Sequence, residues 1–225
     1  MTSAAGRSER ARSNIEGRLA STDPALGRVI DAVIARIGPQ RIAPSRTTPF
    51  EALVRAIVYQ SVSGKAAASI FARLRSSADG PLTPAKILAL PPPTLRQTGL
   101  STAKAQTIGD LAAWFAAHRK LASALPTLAD DQIVEALTAV PGIGPWTVNV
   151  FLIFNLGRLD VMPTADLGIR RGVQLTDGLS SVATPRQVLE RSQAWRPYRS
   201  IASIYLWQAT KLKLGPNDLN HGEER

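Results

Sequence analysis

Proline follows an aspartate or a threonine at four places in this 225-residue chain: Asp23-Pro24, Thr48-Pro49, Thr83-Pro84 and Thr184-Pro185. Each pair is typical of a helix start. The side-chain oxygen can cap an N–H of the first turn, and proline is tolerated there because its missing N–H would have no intrahelical partner. Apolar residues recur at helical spacing afterwards, and no segment shows the alternation of a half-buried strand. The sequence therefore predicts an all-α fold.

The first of these helices shows the pattern clearly. Its predicted buried stripe consists of Leu26, Val29, Ile30, Val33 and Ile37. Residues 1–20 are rich in Arg, Ser and Ala and poor in apolar residues, which predicts a disordered basic arm. Residues 215–225, "GPNDLNHGEER", predict a frayed tail. The folded domain is thus expected to span residues 21–214.

Composition and charge narrow the function classes. Lys and Arg number 27 against 17 acidic residues, a formal net charge of +10, which favours a polyanionic partner. The chain has no cysteine and only two histidines, which argues against a disulfide framework, a cysteine-ligated zinc site or an iron–sulfur cluster. No apolar run matches a bilayer span, and the N-terminus lacks the apolar centre of a secretory signal. We expect no membrane partner, no metal bound by side chains and a cytoplasmic location.

One short stretch stands out, "LTAVPGIGPWTVNVF" from Leu137 to Phe151. Two helical patterns flank a turn that holds Gly142 and Gly144, and glycine permits positive φ and close approach of another molecule to the backbone. The N-terminus of the second helix presents N–H groups and the positive end of the helix dipole, which suit a phosphate. A tight helix–helix connector without a ligand explains the same residues on steric grounds.

The chain resembles the helix-hairpin-helix DNA glycosylase superfamily, whose members share a Gly/Pro-rich hairpin and a following aspartate. "VPGIGPWTVNVF" is similar to the hairpin, and "LDVMPTADLGIRRGV" places Asp166 at the position of that aspartate. Three further stretches agree in order: "FEALVRAIVYQSVSGKAAASIFARL", "GLSTAKAQTIGDLA" and "WRPYRSIASIYLW". Together they cover roughly residues 23 to 212. The resemblance implies a two-lobed helical bundle with the active-site cleft between the lobes.

Two absences indicate the branch within this superfamily. Members that also cut the DNA backbone carry a lysine just after the hairpin glycines, as an amine nucleophile that forms a Schiff base. Trp146 holds that place here, and cluster-bearing relatives need cysteines that this chain lacks. Both features favour the 3-methyladenine type, which hydrolyses the N-glycosidic bond of alkylated purines without lyase activity.

The resemblance also implies roles for individual residues. Asp166 is the expected catalytic carboxylate, and Trp146 and Trp207 match the aromatic residues of the base pocket. The DNA phosphate-binding hairpin comprises Gly142, Ile143, Gly144 and Thr147. No cofactor is implied, and a monovalent cation held by the hairpin backbone is left open.

Other positions follow the family pattern less closely. The wedge that fills the gap left by a flipped base falls at Gln60, Ser61 and Val62, and Ser61 is small for that role. Lys104, Arg170 and Arg171 are candidate phosphate contacts beside the expected site. Val150 and Leu167 stand where some relatives carry aromatic residues, so the pocket should be less aromatic.

The expected partner is double-stranded DNA that contains alkylated bases, bound by a monomer acting on nucleoid DNA in a bacterial-type cytoplasm. Two alternatives remain open. A non-catalytic helix-hairpin-helix protein that binds damaged DNA would explain the charge and the hairpin equally well. A helical protein-interaction domain would explain neither, and its binding should resist salt, whereas phosphate contacts weaken steeply with ionic strength.

Overall fold

The computed structural model describes residues 14–91 and 93–219. These ranges contain α-helices, short 3₁₀ turns and loops, and none of their residues lies in a strand, so the predicted all-α class is confirmed. No helix in them has the length and apolar character needed to cross a membrane. The chain divides into two compact units. The continuous unit spans residues 43–157, and the discontinuous unit combines the residues up to Ile42 with those from Arg158 onward.

The helices are numbered in chain order. Residues 14–22 are also helical and precede the first numbered helix. The numbered helices are α1 (Pro24–Ile37), α2 (Pro49–Tyr59), α3 (Gly64–Ser77), α4 (Pro84–Ala89), α5 (Thr94–Gln97), α6 (Thr102–Ala117), α7 (Arg119–Ala124), α8 (Asp130–Thr138), α9 (Pro145–Phe154), α10 (Leu167–Asp177), α11 (Pro185–Arg191) and α12 (Arg199–Lys211). Short 3₁₀ turns cover Leu125–Thr127, Ser192–Trp195 and Pro216–Leu219.

All four predicted cap-and-proline pairs begin helices. The Asp23 carboxylate accepts a hydrogen bond from Leu26 N at 3.1 Å, and proline occupies the first turn of α1. The hydroxyls of Thr48, Thr83 and Thr184 accept in the same way at the starts of α2, α4 and α11. The local chemistry of each pair is therefore sufficient to set where these helices begin.

The start of the discontinuous unit differs from the sequence prediction. Leu26, Val29, Ile30 and Val33 are buried as expected, but Ile37 is 44% exposed because α1 ends at this residue. The predicted disordered arm over residues 1–20 is wrong for residues 14–20, which are helical. Leu19 is 2% exposed within the core of this unit. Residues 1–13 lie outside the described residues.

The predicted frayed tail is likewise wrong for its first residues. Pro216–Leu219 form a 3₁₀ turn, Leu219 is buried, and Gly215 N donates to the Asp218 carboxylate. Asp218 also pairs with Arg36 on α1 at 2.5 Å. Contacts with α1 hold this segment, which is why its own composition does not indicate order. Residues 220–225 lie outside the described ranges.

A buried ion pair joins the two chain segments that form the discontinuous unit. The Asp23 side chain is 3% exposed, and it accepts hydrogen bonds from the Arg191 guanidinium at 2.7 Å and from Trp195 Nε1 at 2.6 Å. Burial alone would raise the pKa of the Asp23 carboxyl, but the hydrogen bonds from Arg191 and Trp195 outweigh it and hold that pKa below its ordinary value. The start of α1 and the end of α11 are thereby held together.

The continuous unit packs around α2. Phe50, Leu53 and Ile57 are buried on this helix, and the ring of Phe50 meets that of Phe115 on α6 edge to face, with centroids 5.3 Å apart. Ile133 and Leu137 of α8 and Val148 and Phe151 of α9 are also buried, as the spacing predicts. Helices α8 and α9 contact each other and flank the glycine-rich hairpin.

Candidate functional site

The hairpin between α8 and α9 is a short and tightly bonded turn. Ile143 N donates to Val140 O at 3.1 Å, and the Ile143 side chain is 4% exposed. Thr147 N donates to Gly144 O at 3.0 Å, which begins α9, and Pro145 occupies the first turn. Ile143 therefore anchors the turn in the core of the continuous unit, while the neighbouring backbone faces outward.

Gly142 is required by the internal structure of the hairpin. Its φ of +84° lies in the region that favours glycine. A Cβ added here would lie 2.0 Å from the hydroxyl oxygen of Thr107. Thr107 has little freedom to move away, because its hydroxyl donates to Ala103 O at 3.0 Å within α6. The hairpin is thus seated directly on α6.

Gly144 differs from Gly142. Its φ is −101°, so Gly144 does not use the positive φ that glycine permits. A Cβ added to Gly144 would meet no atom of the protein within 4 Å. Neither backbone strain nor packing explains a glycine here, so the open space beside Gly144 is a feature of the outward face of the hairpin.

The backbone of the hairpin has unused donors and acceptors. Within residues 14–91 and 93–219, no group accepts a hydrogen bond from the N–H of Gly142 or Gly144. These donors precede the N-terminus of α9, whose dipole favours an anion. The carbonyls of Pro141, Gly142 and Ile143 accept no hydrogen bond from the same residues.

Asp166 lies at the start of α10 in the discontinuous unit. Its Oδ1 caps the helix by accepting from Ile169 N at 2.9 Å. The same oxygen accepts from Trp207 Nε1 of α12 at 2.8 Å, and the Asp166 side chain is half-buried. The structure therefore brings together two of the residues that the sequence singled out, and the indole fixes the orientation of the carboxylate.

Two glycines allow α10 to lie close to α12. A Cβ on Gly168 would be 2.9 Å from Trp207 Cδ1 and 3.1 Å from Asp166 Oδ1. One turn later, a Cβ on Gly172 would be 2.7 Å from Leu206 Cβ. Without side chains at these positions, the indole can reach the carboxylate.

The predicted wedge residues form one turn between α2 and α3, and we call Gln60, Ser61 and Val62 the wedge turn. Ser61 has a φ of +53°, and Val62 is 39% exposed. Gln60 Nε2 donates to Thr147 Oγ1 at 2.7 Å, and Thr147 is buried in the first turn of α9. The wedge turn is therefore bonded directly to the helix that follows the hairpin.

The three candidate phosphate contacts have different surroundings. Lys104 is half-buried, and its ammonium donates to Val58 O at 2.9 Å and Gln60 O at 2.5 Å. Burial lowers the pKa of Lys104. Arg170 is half-buried and donates from Nε to Ala183 O at 2.5 Å, whereas Arg171 is exposed. Phosphate contact by these side chains stays a prediction, and Arg171 has the most solvent access.

Trp146 is the second residue of α9 and is half-buried. Leu167, directly after Asp166, is 48% exposed and presents an apolar side chain at the start of α10. Val150 is half-buried on α9. Both aliphatic residues lie close in sequence to predicted site residues, and pocket roles for Trp146 and Trp207 stay predictions.

Three supporting residues were missed by the sequence analysis. Thr107 seats Gly142, Gly168 admits the Trp207 indole, and Thr210 donates to Gly168 O at 3.0 Å. The spacing of Gly168 and Gly172 by four residues is a signal of close helix packing that could have been used. No local sequence pattern identifies Thr107 or Thr210 as supporting residues.

Comparison with known proteins identifies the family of this chain. The model of the HhH-GPD superfamily base excision DNA repair protein matches residues 54–197. This range includes the hairpin, the wedge turn and Asp166. The chain belongs to the HhH-GPD superfamily of base excision DNA repair proteins.

Individual relatives point to one branch. DNA-3-methyladenine glycosylase 1 of Schizosaccharomyces pombe is 36% identical over 172 residues, which cover 73% of this chain and 73% of the relative. The alkylbase DNA glycosidase-like protein mag2 of the same yeast is 32% identical over 80% of this chain and 87% of its own length. The solved structure of the S. pombe 3-methyladenine DNA glycosylase in complex with abasic DNA has a TM-score of 0.76 and 31% identity, over 88% of this chain and 97% of that chain.

Proposed function

We propose that this protein is a DNA glycosylase that hydrolyses the N-glycosidic bond of alkylated purines of the 3-methyladenine type, without lyase activity. The observation that carries the proposal is the Asp166 carboxylate, held by Trp207 Nε1 at 2.8 Å and by Ile169 N at 2.9 Å. The names of the relatives support the same reaction class.

The carboxylate suits the chemistry of base removal. When the bond from deoxyribose C1′ to the base nitrogen breaks, both electrons leave with the base and positive charge develops on the sugar. A preorganised carboxylate stabilises that charge, and it can also accept the proton of the water that adds to C1′. An N-alkylated purine already carries positive charge, so it leaves without a strong general acid. One fixed carboxylate is therefore enough for this class of substrate.

The residue at the lyase position supports a monofunctional reaction. Trp146 stands where backbone-cutting relatives carry their nucleophilic lysine. An indole has no amine that could form a Schiff base with the sugar. Water is then the nucleophile, and an abasic site in an intact strand is the product.

The two predicted pocket residues suit a cationic base. An indole face attracts positive charge through its quadrupole, and a flipped alkylpurine offers both charge and a flat surface for stacking. Trp207 would combine this role with its hydrogen bond to Asp166. The aliphatic Val150 and Leu167 would make the pocket less aromatic than one lined by rings at those positions.

The hairpin is the proposed phosphate site. The N–H groups of Gly142 and Gly144 are available, the dipole of α9 has the right sign, and the space beside Gly144 is open. The carbonyls of Pro141, Gly142 and Ile143 would hold a monovalent cation between the hairpin and the phosphate. A monomer acting on chromosomal DNA in the cytoplasm completes the proposal.

The experiment measures free base released from methylated duplex DNA by the wild-type protein, with strand breaks scored before any alkali treatment. Release of alkylated purines with intact strands supports a monofunctional glycosylase. Strand breaks that form without alkali would contradict the assignment of Trp146 at the lyase position. Tight DNA binding without any base release would replace the enzyme by a damage-binding module.

A further inference from the structure

The wedge turn adopts a conformation that needs outside support. Gln60 directly follows the last residue of α2, and Ser61 comes next with a φ of +53°, a region that a residue with a Cβ adopts reluctantly. Ser63 then caps α3 by accepting from Ala66 N at 3.3 Å. Because the turn contains no glycine, its shape must be maintained by contacts made from other parts of the chain.

Lys104 supplies the first of these contacts. Its ammonium lies between Val58 O and Gln60 O, at 2.9 and 2.5 Å, where α2 ends and its last carbonyls lack intrahelical partners. A cation is favourable at this end of a helix. Lys104 itself lies in the first turn of α6, where its charge opposes the dipole of its own helix. Its position is therefore explained by α2 and the wedge turn, and not by α6.

Gln60 supplies the second contact. Its amide donates to the buried hydroxyl of Thr147 at 2.7 Å, which joins the wedge turn to α9 just beyond the hairpin. With the turn held from two sides, Ser61 and Val62 remain exposed. Val62 is the apolar side chain that this arrangement presents to solvent.

We propose that Lys104 is a positioning residue that holds the wedge turn in its flipping conformation, and that Val62 is the side chain that enters the duplex. This inference rests on the proposed function. It assigns the half-buried ammonium to the protein's own carbonyls instead of a DNA phosphate. The cost of removing a base from the stack depends on how firmly the opposite base pairs and stacks with it. Lys104 therefore matters most when the lesion is well paired.

The test compares two duplexes that differ only opposite the lesion. One carries 7-methylguanine opposite cytosine, and the other carries it opposite an abasic site, which lowers the cost of flipping. Single-turnover base release is measured for wild type, Lys104→Met and Val62→Gly. Lys120→Met is the matched control, because Lys120 is exposed on α7 in the same unit and the charge change is identical.

We expect Lys104→Met and Val62→Gly to slow release from the paired duplex about tenfold, and from the duplex with the abasic partner about twofold or less. Lys120→Met should leave both rates near wild type. The dependence of DNA affinity on salt should keep its wild-type slope in Lys104→Met. Equal rate losses on both duplexes, or a salt slope reduced by about one, would overturn the proposal, since a lost phosphate contact weakens binding to every sequence.

Two additions keep the outcome interpretable. If Lys104→Met melts below the assay temperature, Lys104→Gln retains a donor of similar length and is measured in its place.

A 2-aminopurine base beside the lesion reports flipping by fluorescence without any chemistry. If the wild type flips the lesion and releases no base, the proposed function fails while Lys104 is still tested by the fluorescence change. If Lys104→Met flips as well as the wild type on the paired duplex, the positioning role is wrong.

Discussion

The two units of this protein differ in the sequence distance between the partners that stabilise them. In the continuous unit, Lys104 reaches carbonyls 44 and 46 residues earlier. In the discontinuous unit, Asp23 meets Trp195 across 172 residues and Arg36 meets Asp218 across 182 residues. The glycine-rich hairpin lies in the continuous unit and Asp166 lies in the discontinuous unit, where its own hydrogen bond from Trp207 spans only 41 residues. The unit that contains the proposed catalytic group, and not the carboxylate itself, therefore depends on contacts between distant parts of the chain.

The largest expected effect comes from Asp23. Asp23→Ala removes a helix cap, a buried ion pair and the acceptor of the Trp195 indole together, and we expect it to lower the free energy of unfolding by about 4 kcal/mol. Thr48→Ala is the matched control in the continuous unit, since it removes a helix cap alone and should lower that free energy by about 1 kcal/mol. Denaturant unfolding of both variants measures the difference. Equal losses would contradict the special dependence of the discontinuous unit on long-range partners.

The same pair predicts a pH dependence. The folded-state pKa of Asp23 lies below its ordinary value of 3.8, so its stabilisation is complete above that pH and is lost as pH falls further. Between pH 7 and pH 3, the free energy of unfolding should therefore fall more steeply in the wild type than in Asp23→Ala. If the free energy of unfolding falls equally with pH in both proteins, ionisation of the Asp23 carboxyl does not stabilise the folded state.

The next effect distinguishes the two hairpin glycines. Gly142→Ala places a Cβ at positive φ and against Thr107, and should lower the free energy of unfolding by about 2 kcal/mol. Gly144→Ala meets nothing in the protein and should change that free energy by less than about 0.5 kcal/mol. Its DNA affinity should nevertheless fall about tenfold, because the new methyl group stands where the phosphate approaches. Unchanged DNA affinity in Gly144→Ala would remove the hairpin from the interface.

Trp207→Phe tests how Asp166 is oriented. Phenylalanine keeps an aromatic ring but has no N–H, so Oδ1 of Asp166 loses the hydrogen bond from the indole and keeps the one from Ile169 N. Base release should slow about tenfold, equivalent to about 1.4 kcal/mol, with DNA affinity unchanged. Trp114→Phe on α6 provides the matched control and should leave the rate near wild type. A wild-type rate in Trp207→Phe would mean that the indole N–H does not support catalysis.

The smallest effect is expected at Arg36. Its ion pair with Asp218 spans the ends of the discontinuous unit, but the two side chains are 41% and 28% exposed. Exposed pairs contribute little, so Arg36→Ala should lower the free energy of unfolding by less than about 1 kcal/mol, and added salt should reduce the difference. A loss as large as that of Asp23→Ala would show that the C-terminal 3₁₀ turn stabilises the whole unit.

Much of the fold could be predicted from local chemistry. The caps at Asp23, Thr48, Thr83 and Thr184 depend on neighbouring residues alone, and the structure bears each of them out. The glycine-rich hairpin also follows from its own residues. The order of residues 14–20 and of Pro216–Leu219 could not be predicted, because it depends on partners at the other end of the chain.

The candidate site shows the same limit. The position of Asp166 follows from the family resemblance, but its hydrogen bond from Trp207 crosses 41 residues and needs Gly168 to be small. Lys104 was expected to contact phosphate, because its charge is visible in the sequence and the carbonyls that surround it are not. Residue type indicates which interactions a side chain can make, whereas the packing of the fold determines which partner it contacts.

The most direct test of the account is the single-turnover rate of base release from methylated duplex DNA by wild type and Asp166→Asn. Asparagine keeps a side-chain oxygen that can accept from Ile169 N and Trp207 Nε1, so the fold and the DNA affinity should be preserved. The account predicts a rate about a thousandfold lower with unchanged Kd for DNA, because only the charge that stabilises the sugar is lost. A rate within about threefold of wild type would show that Asp166 is only a helix cap and that the reaction depends on another group.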